Sequence, residues 1–251
     1  MSAVNGTNTR YFRRAPMLPA AVSPHFRPLP GEPTQHRWWR NFEPEHRLLT
    51  GPAYRRAKRC VDLALLLLAV PLALPLLLLV ALLIKLESPG APVIFTQMRT
   101  GLNGHRFRLY KFRTMVPNAE ALKKELMHLN ELEWPDFKIT ADPRVTRMGN
   151  FLRRTSLDEL PQLLNILKGE MSFVGPRPTS FAPETYKLWH TERLEAIPGL
   201  TGLWQVIGRG SMEFDDRVRL DISYVRHRSL TLDFVILLRT VMVVLEQEGA
   251  Y

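Results

Sequence analysis

The feature that most constrains the fold is a run of 22 residues, Leu63 to Ile84, that contains no charged side chain. As a straight helix it would be about 33 Å long, which is enough to cross the apolar core of a bilayer. Pro71 and Pro75 lie near its centre, where each removes a backbone hydrogen bond and favours a bend. Two interpretations stay open: a helix that spans the membrane with tolerated prolines, and a helix that bends and returns to the face it entered. A buried helix of a soluble domain is the weakest alternative, because no other segment looks large enough to cover it.

Basic residues outnumber acidic ones and are concentrated at the start of the chain. The formal net charge of the 251 residues is +10, and residues 1–59 hold eleven Arg and Lys against three Glu, which gives +8. Such an excess indicates an anionic partner: nucleic acid, anionic lipid or a phosphorylated substrate. The single cysteine, Cys60, rules out an intrachain disulfide and a cysteine-built zinc site.

Residues 1–53 are rich in proline and arginine and show no sustained hydrophobic periodicity. This composition predicts a mostly disordered basic tail. Trp38, Trp39 and Phe42 suit a membrane interface, where aromatic rings are favoured, but a tail without a specific role is the more common outcome.

After Lys85 the chain becomes more polar, and residues 93–97 and 107–114 read as a β-hairpin joined across Gly101-Leu102-Asn103-Gly104. Alternation along the second strand puts Lys111 and Arg113 on one face. The pair could hold a phosphate, although solvated strand charges are the more common explanation. Asn118 then begins a predicted amphipathic helix that extends to Leu132.

Two adjacent carboxylates, Asp158 and Glu159, stand directly before an apolar helical run. Ser156, three residues ahead of Glu159, matches a capping box, and Pro161 suits a first helical turn. Both carboxylates would then lie at the positive end of a helix dipole, where backbone N–H groups can also meet phosphate oxygens. A plain capping box with no chemical role is the more common explanation of these few residues taken alone.

Glycine and proline mark the segments that follow. Gly175-Pro176-Arg177-Pro178 is stiff and would present the Arg177 guanidinium to an oxyanion with little loss of entropy. The glycine-rich stretch 198–210 adds Gln205 and Arg209, which alone are weak indications of a site. The apolar run 230–245 contains Asp233 and Arg239 and suits the surface of a bilayer better than its interior.

Four motifs in this order, YKFRTM at 110–115, LDELPQ at 157–162, KGEMSFVGPRP at 168–178 and PGLTGLWQV at 198–206, resemble the bacterial sugar transferase family, the monotopic phosphoglycosyl transferases. The resemblance covers about residues 54–247 and is closest to the short members of the family. It implies that an aspartate attacks the sugar-bearing phosphate of a UDP-sugar, releases UMP and passes the phosphosugar to undecaprenyl phosphate. Asp158 would be the nucleophile and Glu159 its partner in metal or proton handling, with Mg²⁺ bound by both. The cations assigned to phosphate or nucleotide are Lys111, Arg113 and Arg177, with Gln205 and Arg209 as weaker candidates.

The same resemblance implies a hydrophobic helix that is re-entrant and bent at a Ser-Pro pair. Here the aligned pair is Leu74-Pro75, with Pro71 as an additional break. We therefore expect a mainly α fold with a small β-hairpin (α+β), in which a re-entrant membrane helix and interfacial amphipathic helices surround a cytoplasmic catalytic domain. The expected division is a basic tail at 1–53, the membrane helix at 54–86 and the catalytic domain at 87–251.

We expect the protein at the cytoplasmic face of the bacterial inner membrane, in contact with its lipid and without a nucleic-acid partner; a homo-oligomer is left open. Two rival functions are a non-enzymatic, membrane-anchored basic module and a Mg²⁺-dependent nucleotide-sugar pyrophosphatase. No residue identifies the sugar.

Overall fold

The computed structural model describes residues 38–42, 44–131, 139–208 and 212–245. These residues are mostly helical and carry two small sheets of two strands each. In chain order the elements are α1 (Gly51–Glu87), β1 (Ile94–Thr100), β2 (Arg106–Phe112), α2 (Ala119–Glu125), α3 (Arg147–Arg154), α4 (Leu163–Lys168), β3 (Ser172–Val174), β4 (Gly199–Thr201), α5 (Leu203–Ile207), α6 (Phe214–His227) and α7 (Leu230–Leu245). Short 3₁₀ helices at 38–41, 44–46, 102–104, 127–129, 157–162, 183–185 and 188–195 connect them.

Helix α1 has 37 residues and continues through both Pro71 and Pro75. Within the described part of the chain it is the one helix that is long and apolar enough to cross a membrane. Most leucines of its central part are exposed, as a helix surrounded by lipid requires. Neither proline ends the helix, so the predicted re-entrant course stays a prediction.

Both ends of α1 pack on the same compact domain. At its start, the Lys58 ammonium lies 2.7 Å from the Asp233 carboxylate of α7, and Asp62 accepts a hydrogen bond of 2.9 Å from the Ser172 hydroxyl. Near its end, Val80 and Ile84 are buried in a cluster with side chains of β2 and α3. The apolar middle of the helix is therefore held at both ends by the domain that follows it.

Strands β1 and β2 form the predicted antiparallel hairpin, with register from Ile94 opposite Phe112 to Thr100 opposite Arg106. Asn103 and Gly104 in the connection have φ of +53° and +79°. An asparagine and a glycine are the residues that accept this left-handed backbone at least cost. The predicted helix after Asn118 is shorter than expected: α2 ends at Glu125 and a 3₁₀ turn follows, while Leu132 lies outside the described residues.

The main core lies between β3, β4 and the last three helices. Its buried side chains include Val174, Leu203, Leu220, Tyr224 and Ile236. Strands β3 and β4 pair in parallel, Ser172 opposite Gly199 and Val174 opposite Thr201. A Cβ on Gly175 or Gly199 would overlap backbone atoms of the neighbouring segment, so the close approach of these two strands depends on both glycines.

The end of the predicted tail belongs to this core. Trp39 is 1% exposed, and its indole N–H donates to the Ser223 hydroxyl of α6 at 2.9 Å. The Arg239 guanidinium of α7 lies over the Trp38 ring at 4.2 Å from its centroid. The prediction of a disordered tail is corrected for residues 38–42, because a buried tryptophan with a satisfied N–H contributes far more than a solvated one. Residues 1–37 lie outside the described residues.

Candidate active site

A cavity of about 520 Å³ opens where β1 and β2 meet the 3₁₀ helix at 157–162 and the Pro-Arg-Pro segment. This is a size typical of ligand pockets. Five cations and three carboxylates are among the residues that line it: Arg99, Lys111, Arg113, Arg153 and Arg177, with Glu120, Asp158 and Glu159. The cavity therefore brings together both carboxylates and three of the five residues that the sequence assigned to phosphate or nucleotide.

The backbone before the two carboxylates is not the predicted capping box. Ser156 has φ of +57°, in the left-handed region, and its side chain caps no N–H. Its carbonyl instead accepts the Glu159 N–H at 3.2 Å. Asp158 and Glu159 consequently start a 3₁₀ helix of six residues, and α4 begins only at Leu163. A helix capped by Ser156 would begin at Leu157, so α4 begins six residues later than predicted, and the helix dipole next to Asp158 is weaker than expected.

Glu159 is held from two sides. Its Oε1 accepts from the Lys111 ammonium at 2.7 Å, and both of its oxygens accept from the Arg177 guanidinium. These two cations outweigh the cost of burial and hold the pKa of Glu159 well below its usual range. The carboxylate is ionised at any physiological pH and keeps Lys111 and Arg177 in place.

Asp158 differs from its neighbour in both contacts and ionisation. Its Oδ2 lies 3.6 Å from the Lys111 ammonium, too far for a strong hydrogen bond. Burial raises the pKa of Asp158 and the charge of Glu159 adds to the rise, while Lys111 and Arg177 oppose it. The Asp158 side chain is 12% exposed and lines the cavity. It is a poorly solvated carboxylate with acceptor capacity left for a ligand.

A buried ion pair stands behind Arg177. Arg193, 4% exposed, pairs with Asp221 of α6, which is fully buried. The Arg193 guanidinium also donates to the Arg177 carbonyl at 2.6 Å, and the Arg177 N–H interacts with the Asp221 carboxylate. The pair thus holds the main chain of Arg177 on both sides of its Cα atom.

Of the other three residues predicted to bind phosphate or nucleotide, the structure describes Arg113 and Gln205, and of these two only Arg113 lines the cavity. Arg113 lines the cavity while its Nε donates to the Pro92 carbonyl at 2.7 Å. Gln205 is not among the described residues that line the cavity, and its amide donates to the Leu200 carbonyl at 3.4 Å. Arg209 lies outside the described residues.

Two of the five cations that line the cavity, Arg153 and Arg99, were not predicted as site residues. Arg153 donates from Nε to the Thr114 hydroxyl at 3.0 Å, and its charge opposes the rise that burial causes in the pKa of Asp158. Arg99 lies on the same face of the hairpin as Lys111, and strand alternation from Phe95 would have found it.

Asp158 and Glu159 differ in how well they suit the predicted Mg²⁺. In the described ranges, no group of three or more His, Cys, Asp or Glu side chains is arranged to hold a metal ion. Mg²⁺ is commonly bound by one or two carboxylates together with water and substrate phosphates. Asp158 has acceptor capacity left for such an ion, whereas both oxygens of Glu159 already accept from Lys111 and Arg177, so Mg²⁺ at this pair stays a prediction.

An apolar helix docked on a small domain, with an acidic pair in a cation-lined cavity, defines a class: membrane-associated proteins with a site for an anionic ligand. The family model described as bacterial sugar transferase matches residues 53–247. The chain belongs to this family.

Named relatives agree with the match. The chain is 45% identical over 202 residues to an undecaprenyl-phosphate galactose phosphotransferase of Salmonella typhimurium, covering 78% of this chain and 42% of that protein. It is 40% identical over 215 residues to the exopolysaccharide production protein ExoY of Rhizobium meliloti, covering 84% and 95%. It is 44% identical over 227 residues to a UDP-glucose:undecaprenyl-phosphate glucose-1-phosphate transferase of Caulobacter vibrioides, covering 83% and 80%. The chain thus spans about two fifths of the Salmonella protein's length but most of the other two.

Proposed function

We propose that this protein transfers a sugar 1-phosphate from a UDP-sugar to undecaprenyl phosphate and releases UMP, as the initiating step of exopolysaccharide, capsule or O-antigen synthesis. The observation that carries the proposal is the placement of Asp158 beside a fully ionised Glu159 in a cavity lined by five cations. The names of the Salmonella and Caulobacter relatives support the undecaprenyl phosphate acceptor, and the latter also supports a UDP-linked donor.

The first half of the reaction uses Asp158 as the nucleophile. One of its carboxylate oxygens forms a bond to the sugar-bearing phosphorus, and the bond from that phosphorus to the bridging oxygen breaks. The electron pair leaves on the phosphate of UMP, and an aspartyl phosphosugar remains on the protein. Because an anion attacks an anion, the step requires cations at the phosphate, which Lys111 and Arg177 supply.

The second half restores the carboxylate. A phosphate oxygen of undecaprenyl phosphate attacks the same phosphorus and expels Asp158, which leaves a diphosphate-linked sugar on the lipid. Splitting the transfer in this way replaces one difficult step by two easier ones. Mg²⁺ held by Asp158 and the substrate phosphates would supply further charge neutralisation, and Glu159 would join it by exchanging one contact with Lys111 or Arg177.

The membrane placement that we propose is re-entrant, with both ends of α1 at the cytoplasmic face of the inner membrane. A straight spanning helix would put its two ends on opposite sides of a bilayer core about 30 Å thick. Here Lys58 near one end and Ile84 near the other both contact the following domain, which supports a helix that enters and returns. Helix α7 would lie beside it, since Phe234, Leu238, Val241, Met242 and Leu245 are exposed along one stripe.

Cysteine labelling tests this placement. Cys60 is exposed at the start of the apolar run, and Gly90→Cys in a Cys60→Ser background reports the other end, because a Cβ at Gly90 meets no neighbour within 4 Å. An impermeant maleimide added to intact spheroplasts should label neither position, and lysis should expose both. Labelling of one position alone from outside would establish a spanning helix.

Activity is tested with purified protein, undecaprenyl phosphate, Mg²⁺ and a panel of UDP-sugars. The proposal expects UMP release together with a lipid-linked sugar diphosphate. Release of free sugar phosphate without dependence on the lipid would favour the pyrophosphatase, and no turnover with any donor would favour the non-enzymatic module.

A further inference from the structure

Arg99 is a half-buried cation of the cavity lining that forms no ion pair with a carboxylate of the described residues. Its guanidinium is fixed by two acceptors, the Pro178 carbonyl at 3.3 Å and the Gln97 amide oxygen at 2.7 Å. Its Nε is buried and has no hydrogen-bond partner.

The electrostatic setting of Arg99 is unfavourable in the absence of a ligand. Burial and the neighbouring Arg177 and Arg106 charges lower its pKa to about 10, and Glu159 offsets only part of this. Buried charges in proteins are normally paired, because an unpaired one is costly to desolvate. An anion that binds beside Arg99 would remove this cost.

The summed charge of the side chains that line the cavity also indicates an anionic ligand. The five lining cations exceed the three lining carboxylates by two. A diphosphate diester carries two negative charges at neutral pH, so a nucleotide-linked sugar diphosphate matches the excess of the side-chain charges alone, before the proposed Mg²⁺ is counted. A single phosphate diester would leave one positive charge over.

The positions along the hairpin divide the cations into two groups. Lys111 lies opposite Phe95, and Phe95 is four residues before Arg99 on β1. Along the strand direction, the Cα atoms of Lys111 and Arg99 are therefore about 13 Å apart. Lys111 and Arg177 both contact Glu159, whereas Arg99 contacts the Pro178 carbonyl on the other side of Arg177. Long side chains that reach inward from these two positions can hold two linked phosphates between them.

We propose that Arg99 binds the leaving phosphate of the donor, the one that becomes the nucleoside monophosphate, while Lys111 and Arg177 bind the phosphate that Asp158 attacks. This inference rests on the proposed function. As the bond from phosphorus to the bridging oxygen breaks, the leaving phosphate gains one negative charge. The Arg99 guanidinium in the cavity lining would stabilise this developing charge, which makes Arg99 a catalytic residue for the first half of the reaction.

The test measures the two half-reactions separately on full-length protein with UDP-glucose and UDP-galactose. Without acceptor, formation of labelled protein and UMP reports the first half; adding undecaprenyl phosphate to isolated labelled protein reports the second. Arg99→Gln should slow the first half by about 10²- to 10³-fold and leave the second within about threefold. The inhibition constant for UMP should rise by about 10- to 150-fold, the range of one lost charged hydrogen bond.

Arg99→Lys keeps the charge but loses the planar guanidinium, so its first half-reaction should be slowed less than in Arg99→Gln. It also takes the place of Arg99→Gln in the test if that variant does not fold. Arg108→Gln is the matched control, an exposed arginine on the neighbouring strand outside the cavity, and should behave as wild type. Unchanged donor kinetics and UMP inhibition in the Arg99 variants would overturn the assignment, as would a loss confined to the second half, which would place the lipid phosphate there. Absence of UMP release by the wild-type protein with every UDP-sugar of the panel would instead refute the proposed function.

Discussion

Replacing Arg193 by methionine while Asp221 stays in place should destabilise the protein far more than an ordinary loss of an ion pair. The Arg193 and Asp221 side chains are 4% and 1% exposed, so the variant leaves a carboxylate in a site that water does not reach. Removing one partner of a buried pair typically costs about 3–5 kcal/mol. The lost hydrogen bond to the Arg177 carbonyl belongs to the same network and is not added separately.

The size of the effect can be checked by thermal unfolding in detergent, followed by tryptophan fluorescence. For a domain of this size, 1 kcal/mol corresponds to about 2–4 °C in Tm, so Arg193→Met should lower Tm by about 6–20 °C. The double variant Arg193→Met/Asp221→Leu removes both charges and should recover most of the loss, because the apolar replacements need no partner. Its kcat should stay low, since the main chain of Arg177 then has neither support.

The chain provides a matched control for burial. Arg226 and Glu192 form a pair of the same chemistry at 2.5 Å, with side chains 38% and 40% exposed, and Glu192 directly precedes Arg193. Arg226→Met should cost no more than about 1 kcal/mol. Burial is not what makes the pair important if Arg193→Met lowers the free energy of unfolding no more than Arg226→Met does. The same conclusion follows if the double variant is less stable than Arg193→Met alone.

Three further outcomes are expected. Asp158→Asn should abolish turnover and the covalent intermediate, because an amide does not attack phosphorus; a labelled phosphosugar trapped on this variant would contradict the assignment. Because the folded protein raises the pKa of Asp158 and the ionised form attacks, kcat/KM should fall as the pH drops through that raised pKa. Lys111→Gln removes the cation that lowers it most, so the acid limb of the pH profile should move to higher pH; an unmoved limb would assign it to another group. Ser156→Gly should match or exceed the wild-type Tm, because it relieves about 1 kcal/mol of left-handed backbone strain. Ser156→Val should lower the Tm and reduce activity. Similar Tm values for the two variants would show that this backbone carries no strain.

Local patterns predicted the residues that face the cavity, but not those that hold them. Strand alternation places Lys111 and Arg113 together, and the stiff proline segment presents Arg177, as the structure shows. Each of these conclusions needs only a few neighbouring residues. The support from Arg193 and Asp221 depends on packing α6 against the 3₁₀ helix at 188–195, a contact between segments about 28 residues apart that no local pattern encodes.

Two other differences between prediction and structure, at Trp39 and Ser156, also arise from contacts with residues distant in the sequence. Trp39 looked like part of a tail because its own surroundings are proline and arginine, whereas its burial depends on Ser223, 184 residues later. Ser156 looked like a helix cap because its spacing to Glu159 is that of a capping box. The two cations that bind the Glu159 side chain remove it from that role, and the backbone turns through a left-handed Ser156 instead.

The contacts of the two carboxylates also favour one of them as the nucleophile. They are adjacent in sequence, and either could attack a phosphate by its chemistry alone. Both oxygens of Glu159 are already bound by Lys111 and Arg177, so its attack would require breaking charge-assisted hydrogen bonds and would leave those cations without a partner. Asp158 has only the 3.6 Å contact to Lys111, and burial makes its ionised form less stable and therefore more reactive. In the mechanism that we propose, Glu159 holds in place the two cations that the attacked phosphate needs, so Glu159→Gln should impair catalysis severely without removing the nucleophile.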